Sequence, residues 1–202
     1  MAAPISSKAE EQAANQVALN LLAYAPLPLE APVLTVGVGS CSFLHVLLQE
    51  GFTNLLAVDA DAAALAHQAR LLPLVDRDKV LWVVEDVLHA QQLPVLDPIL
   101  LWHDRAVWPA LRQSTHQAAY KQLLDHMLMP GRGWLLLRLA PVQVVEPASP
   151  TTQVAHLLTW LGPEYALRKQ GTYAGGNNEN LEPRGAYALF QRLPDAKQHF
   201  RR

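Results

Sequence analysis

The sequence is poor in the residues that would tie it to disulfides, metals, membranes or nucleic acid. Its 202 residues hold one cysteine, Cys41, which excludes an internal disulfide and a zinc-ribbon cluster. Outside His103, the histidines show no metal-ligand spacing with cysteine or carboxylates. Only 17% of residues are charged, and a net charge of −2 gives no electrostatic case for nucleic acid or an anionic membrane as partner. No apolar run approaches the roughly 18 residues of a membrane span. The first residues, MAAPISSKAEEQ, lack the basic-then-apolar layout of a secretory signal, so a reducing cytoplasm is the expected compartment. No Gly-Lys-Ser/Thr follows the first strand, which excludes a P-loop. What remains is a chain that is half hydrophobic, with length for one domain, residues 1–202, and a sizeable core.

The apolar runs are short and evenly spread. Residues 8–25 have helical spacing, with Ala9, Ala13, Val17, Leu21 and Leu22 forming most of a stripe. Pro26, Pro28 and Pro32 stiffen the passage into the first strand, so 1–32 is read as a helix and a proline linker. Strands are predicted at Val33–Val36, Leu55–Val58, Lys79–Val84, Pro98–Trp102 and Trp134–Leu139, with helices between them. Asp61 suits the N-cap of the second such helix and Arg70 its C-terminal end. Ser114 and Gln117 have the spacing of a capping box for a helix running to about Leu128. Five apolar strands alternating with helices predict a mostly parallel α/β sheet covered on both faces. Beyond residue 140 the pattern changes. Ser149 and Pro150 open a short helix that Gly162 ends, and Glu164–Lys169 and Ala186–Arg192 read as an antiparallel pair joined by a Gly/Asn-rich loop.

The chemistry concentrates in VLTVGVGSCSFLHVLLQEGFTNLLAVD, residues 33–59. Strand, glycine loop, helix, strand and terminal carboxylate form the order of a nucleotide-binding βαβ unit. Gly37 and Gly39 allow a ligand close to the backbone, and Asp59 is placed to accept hydrogen bonds from ribose hydroxyls. The third glycine of a dinucleotide fingerprint is Ser42, so a nicotinamide dinucleotide is a poor match. Asp86, just past the third strand, supplies a second acid for an adenine amino group. His103 and Asp104 follow the fourth strand at the carboxyl edge, where open α/β sheets bind ligands.

This spacing of glycine loop, acid and second acid resembles the class I S-adenosylmethionine-dependent methyltransferases. The segment LLWHDRAVWPAL, residues 100–111, is similar to the W-H-D-R-A-V-F motif of a small bacterial subgroup of that family. Thr35–Cys41 matches the subgroup's D-V-G-G-G-A-S loop in part, and Pro130-Gly131-Arg132-Gly133 matches its P-G-G strand opening. The resemblance covers about residues 33 to 140. It implies a Rossmann-like, mostly parallel seven-stranded sheet with helices on both faces and a C-terminal antiparallel pair. In that reading 33–140 is the cofactor-binding core and 141–202 the acceptor side.

The resemblance further implies S-adenosylmethionine as cofactor, S-adenosylhomocysteine as product, and a cofactor pocket of Gly37, Gly39, Ser40, Cys41, Asp59, Ala60, Asp86, Val87 and His103. His103 and Asp104 are the catalytic candidates, the histidine to take a proton from an acceptor and the aspartate to orient an amine. The competing reading has Asp104 and Arg105 pair locally while His103 supports the pocket. Trp102 and Trp108 either line an acceptor site or pack in the core. Where family members carry an acid two residues before the first glycine, this chain has Thr35. The expected acceptor is a small molecule. Protein-lysine methylation and a non-catalytic module that kept the fold are the alternatives.

Overall fold

Val33–Val36 are four apolar or β-branched residues in a row, and burial on both faces makes them the central strand, β1. The computed structural model describes residues 8–39, 42–139, 149–174 and 185–195. Around β1 it places β2 (Leu55–Asp59), β3 (Val80–Val84), β4 (Leu101–Asp104), β5 (Trp134–Leu139), β6 (Tyr165–Tyr173) and β7 (Gly185–Arg192). The order is β3-β2-β1-β4-β5-β7-β6. The first five strands are parallel, and β7 lies antiparallel between β5 and β6. This is the expected seven-stranded α/β sheet with its appended antiparallel pair. Because β1 pairs with β2 on one side and β4 on the other, the order reverses there, and the carboxyl ends of β1 and β4 form the switch point at which open α/β sheets bind ligands.

Two hydrophobic clusters cover the sheet. One contains Val33, Phe43, Leu44, Ala57, Leu101 and Leu136 beneath α1 (Lys8–Leu22), α2 (Phe43–Gln49) and α3 (Ala62–Leu71). The other holds Leu34, Val36, Trp102, Leu135 and Leu137 against α6 (Ser114–Met127) and α7 (Pro150–Leu161). Single helical turns fill two connections, α4 (Leu74–Arg77) and α5 (Val107–Ala110), and a 3-10 turn spans Leu93–Val95. Coverage is incomplete at the β3 edge, where Leu81 and Val84 are half exposed.

Local signals in the sequence act as expected in several places. The Asp61 side chain accepts a hydrogen bond from the Ala63 amide and caps α3, and Ser149 does the same for Thr152 in α7. Gly162 ends α7 at φ 77°, in the left-handed region. Three readings need correction. The fourth strand is Leu101–Asp104, not Pro98–Trp102, because Val33–Val36 of β1 pair with Leu101–Asp104 and carry the ladder past Trp102. His103 and Asp104 are therefore inside the strand. The capping box at Ser114 and Gln117 does not form: Gln113 is the N-cap without a side-chain bond, and Gln117 Nε2 donates to the Leu111 carbonyl instead, 3.1 Å. In the α1 stripe, Leu21 and Leu22 are buried and Ala13 and Val17 pack part-buried on the same cluster, but Ala9 is exposed. Ala14, Asn15 and Ala18 complete the buried face. That face lies across β6 and β7. A Cβ at Gly171 of β6 would stand 2.9 Å from Val17 Cγ1, so the helix needs a glycine beneath it.

A candidate ligand site at the carboxyl edge

The loop after β1 turns on two glycines in the left-handed region, Gly37 at φ 65° and Gly39 at φ 45°. The Gly37 amide donates to the Val58 carbonyl, 2.9 Å, which ties the loop to β2. Gly39 is held at both ends. Its amide donates to Asp59 Oδ2, 2.8 Å, and its carbonyl accepts from Gln68 Nε2 of α3, 3.0 Å. Asp59 Oδ1 also accepts from the Asp61 amide, 2.9 Å. The carboxylate is half-buried, with Ala60 exposed beside it. Among the described residues beyond its chain neighbours, a Cβ on Gly39 would meet nothing nearer than 3.9 Å. Ser40 and Cys41 lie outside the described residues. Gly37, Gly39 and Asp59 are thus brought together as expected.

Asp86 is exposed, accepting from the Leu88 amide, 3.0 Å, and pairing with His89 Nδ1 at 2.9 Å. The Leu88 bond and His89 lower its pKa against a smaller effect of burial. Val87 is buried in the second cluster. Glu85 organises this turn, accepting from the amides of Gln92 and Leu93 at 2.7 and 3.1 Å.

The catalytic candidates have different surroundings from those expected. His103 has no exposed surface; its ring lies 4.4 Å from that of Phe43, and Nε2 is 3.5 Å from the Tyr187 hydroxyl. Burial, helped by the charge of Arg105, holds its pKa at about 3. The imidazole is therefore neutral at pH 7, but a pKa that low makes it a weak base, far from the matched value that general-base catalysis favours. Its placement fits support of the pocket wall rather than contact with an acceptor.

Asp104 is fully buried and points to the opposite face. Its carboxylate accepts from the amides of Ala106, Val107 and Trp108 at 2.8–2.9 Å and from the Tyr120 hydroxyl at 2.6 Å. The Tyr120 oxygen in turn accepts from Trp102 Nε1, 2.8 Å. Burial raises the Asp104 pKa, opposed by these four donors. Three of them are amides that can only donate, so the ionised carboxylate is the form they fit. Asp104 thus starts α5 and locks it to α6, with both oxygens engaged in these bonds. Trp102 belongs to this core network. Trp108 is half-buried and stacks on Trp160 of α7, centroids 3.7 Å apart.

Arg105 does not pair with Asp104. Its Nη1 lies 3.1 Å from Glu11 Oε1 of α1, and Arg138 of β5 lies 3.6 Å from Glu10. These α1 acids were not among the candidates, and neither was Gln68. Their signal was present: Glu11 and Asn15 sit four residues apart, on one helical face beside the apolar stripe. A separate open groove of about 580 Å3, lined by Ser114, Gln117, Lys121, Asp125 and Trp160, shares no residue with the carboxyl-edge site. The edge site is the stronger candidate because it combines left-handed glycine backbone with a strand-terminal acid. Among the described residues no cluster of histidine, cysteine and carboxylates could hold a metal, and no helix is long and apolar enough to cross a membrane.

The sequence matches no family profile and no curated protein. Solved structures do match in fold. The glycopeptide N-methyltransferase MtfA, in a structure with S-adenosylmethionine, superposes with a TM-score of 0.67 at 14% identity, covering 96% of this chain and 100% of that one. The N-methyltransferase NodS from Bradyrhizobium japonicum WM9 gives 0.67 at 17% identity, covering 95% and 100%. TrmN from Thermus thermophilus gives 0.65 at 18% identity, covering 89% of this chain and 49% of that one. MtfA has also been solved with S-adenosylhomocysteine and with sinefungin. The fold is that of the class I S-adenosylmethionine-dependent methyltransferases.

Proposed function

We propose that this protein is an S-adenosylmethionine-dependent methyltransferase acting on a small-molecule acceptor. The observation that carries the reading is Asp59, which ends β2 at the switch point and bonds the amide of left-handed Gly39. The residues present fit an adenosine ligand. Asp59 has oxygens for ribose hydroxyls, left-handed Gly39 admits a ligand to the backbone, and Val87 and Asp86 stand past the neighbouring strand. Ser40 and Cys41 complete the loop in the sequence.

When bound, S-adenosylmethionine supplies a methyl group on a sulfonium, which passes to an acceptor lone pair while the carbon–sulfur electrons return to sulfur. The chain's own part is alignment and exclusion of water. Gly39 offers the approach, Gly37 makes room for Val107 of α5 at 3.0 Å, Gln68 and Asp59 fix the loop, and the buried His103, Phe43 and Tyr187 rings pack beneath it. Among the described residues no side chain at the edge is a well-matched general base. An acceptor that reaches the site already deprotonated, such as a neutral amine, suits it best.

Calorimetric titration with S-adenosylmethionine and S-adenosylhomocysteine, with NAD as control, tests the reading. Micromolar binding of the sulfur nucleotides alone is expected. Absence of binding for both overturns it and favours a module that kept only the fold. Radiolabel transferred from S-adenosylmethionine to proteins in lysate, and to no small molecule, would favour protein methylation instead.

A further inference from the structure

The glycine loop offers shape but no charge. Residues 33–39, VLTVGVG, are neutral, and Thr35 Oγ1 is buried with no partner among the described residues. Charge reaches this place from elsewhere in the chain. Glu11 of α1 puts Oε1 within 2.6 Å of the Ser42 amide, 2.8 Å of the Ser42 hydroxyl and 3.1 Å of Arg105 Nη1. Asn15, one helical turn on, donates to the same hydroxyl, 2.8 Å. Among the described residues all of Glu11's bonds fall on Oε1, and Oε2 is left open to a further donor. Burial tends to raise the Glu11 pKa, but the Ser42 donors and Arg105 outweigh it, so the acid is ionised at neutral pH.

A carboxylate and a guanidinium, 19% and 11% exposed, therefore lie side by side at the helix end of the loop. Asp59 stands at its other end. This pair has the charge pattern of a seat for a zwitterion, with an ammonium meeting the carboxylate and a carboxylate meeting the guanidinium. Both groups are desolvated enough for such contacts to strengthen, as charges interact more strongly away from bulk water.

We propose that Glu11 and Arg105 bind the α-amino-acid end of the sulfur nucleotide, Glu11 taking the ammonium and Arg105 the carboxylate. This rests on the S-adenosylmethionine reading above. The helix α1 is then part of the ligand site as well as a cover for β6 and β7, and it brings in the anion that β1 lacks.

The test is calorimetric titration of the full chain and of Glu11→Gln with S-adenosylhomocysteine and with 5′-methylthioadenosine. The second ligand shares the adenosine and thioether but has no amino-acid end. Glutamine keeps an acceptor for Ser42 and Arg105, so the local geometry survives while the charge is lost. The variant is expected to bind S-adenosylhomocysteine about tenfold more weakly, the scale of a lost charge-assisted hydrogen bond, and methylthioadenosine with unchanged affinity. Arg105→Gln is expected to show the same selectivity. Equal losses for both ligands would mean that Glu11 only holds the loop, and would overturn the proposal. Unchanged or tighter binding of S-adenosylhomocysteine by Glu11→Gln would also overturn it, since the glutamate would then be idle or a plug. If the unaltered protein binds neither ligand, the function proposed above falls, and this inference with it.

Discussion

Asp59 ends β2 and Asp104 ends β4, so two carboxylates flank β1 at the same edge of the sheet. Asp59 is half-buried and accepts from two amides, those of Gly39 and Asp61. Asp104 is fully buried and accepts from three amides and the Tyr120 hydroxyl. The first, part-exposed, keeps acceptor capacity, while the second has spent its capacity on the start of α5 and the α6 packing. An acid at a strand end thus keeps acceptor capacity or is committed as a structural clamp according to the donors around it. What decides between them is where the chain goes next. After β2 it climbs out past the glycine loop, and after β4 it folds back over its own aspartate.

Breaking each acid in turn should separate stability from binding. Asp104→Ala is expected to cost about 4 kcal/mol of folding stability, because it orphans several buried donors at once. Urea unfolding measures this, and a loss under about 1 kcal/mol would mean that the clamp is not structural.

The histidine beside that clamp sets the next effect. The His103 pKa is held near 3 in the folded state against an ordinary value of 6.5. The unfolded chain binds the proton first, so stability from this group is complete above pH 6.5 and falls as the pH drops toward 3. Between pH 7 and pH 5 the loss is about 2 kcal/mol, a range above the titration of ordinary carboxylates. His103→Leu should flatten that limb of the urea midpoint against pH. A variant as acid-sensitive as the parent would show that the imidazole is not sealed in.

Asp59→Ala is expected to weaken S-adenosylhomocysteine binding about tenfold, near 1.4 kcal/mol, and to change urea stability by under about 1 kcal/mol. Calorimetry beside unfolding shows whether the two acids truly divide the work. The smallest effect belongs to Gln68→Ala, which frees the Gly39 carbonyl. About threefold weaker binding is expected, with less than about 1 kcal/mol of stability lost. Recovery of affinity in Gln68→Asn would speak against it, because the shorter side chain should not reach the loop.

Much of the sheet was legible because its information is local. Val33–Val36, Leu55–Val58 and Trp134–Leu139 are short apolar runs bounded by glycine, proline or charge, and their bounds are met within a residue. Gly37, Gly39 and Asp59 were legible for the same reason: a turn that needs left-handed backbone and a strand-terminal acid both leave marks within a few positions. The fourth strand was misplaced because its end is set by pairing with β1. Apolar character stops at Trp102, yet the ladder carries on through His103 and Asp104, whose polar groups find partners or tolerate enclosure inside the fold. The capping box failed likewise, since Gln117 Nε2 had a better-placed carbonyl at Leu111.

By itself, then, the sequence determined the α/β class, the order of the strands' appearance along the chain, and the glycine loop with its acid. These depend on composition and spacing over a dozen residues. Only the tertiary structure decided the surroundings of His103 and Asp104, and it alone brought Glu11 to Ser42 and Arg105, 31 and 94 positions away. Burial, donor count and long-range approach are properties of packed neighbours, and no local window of sequence contains them.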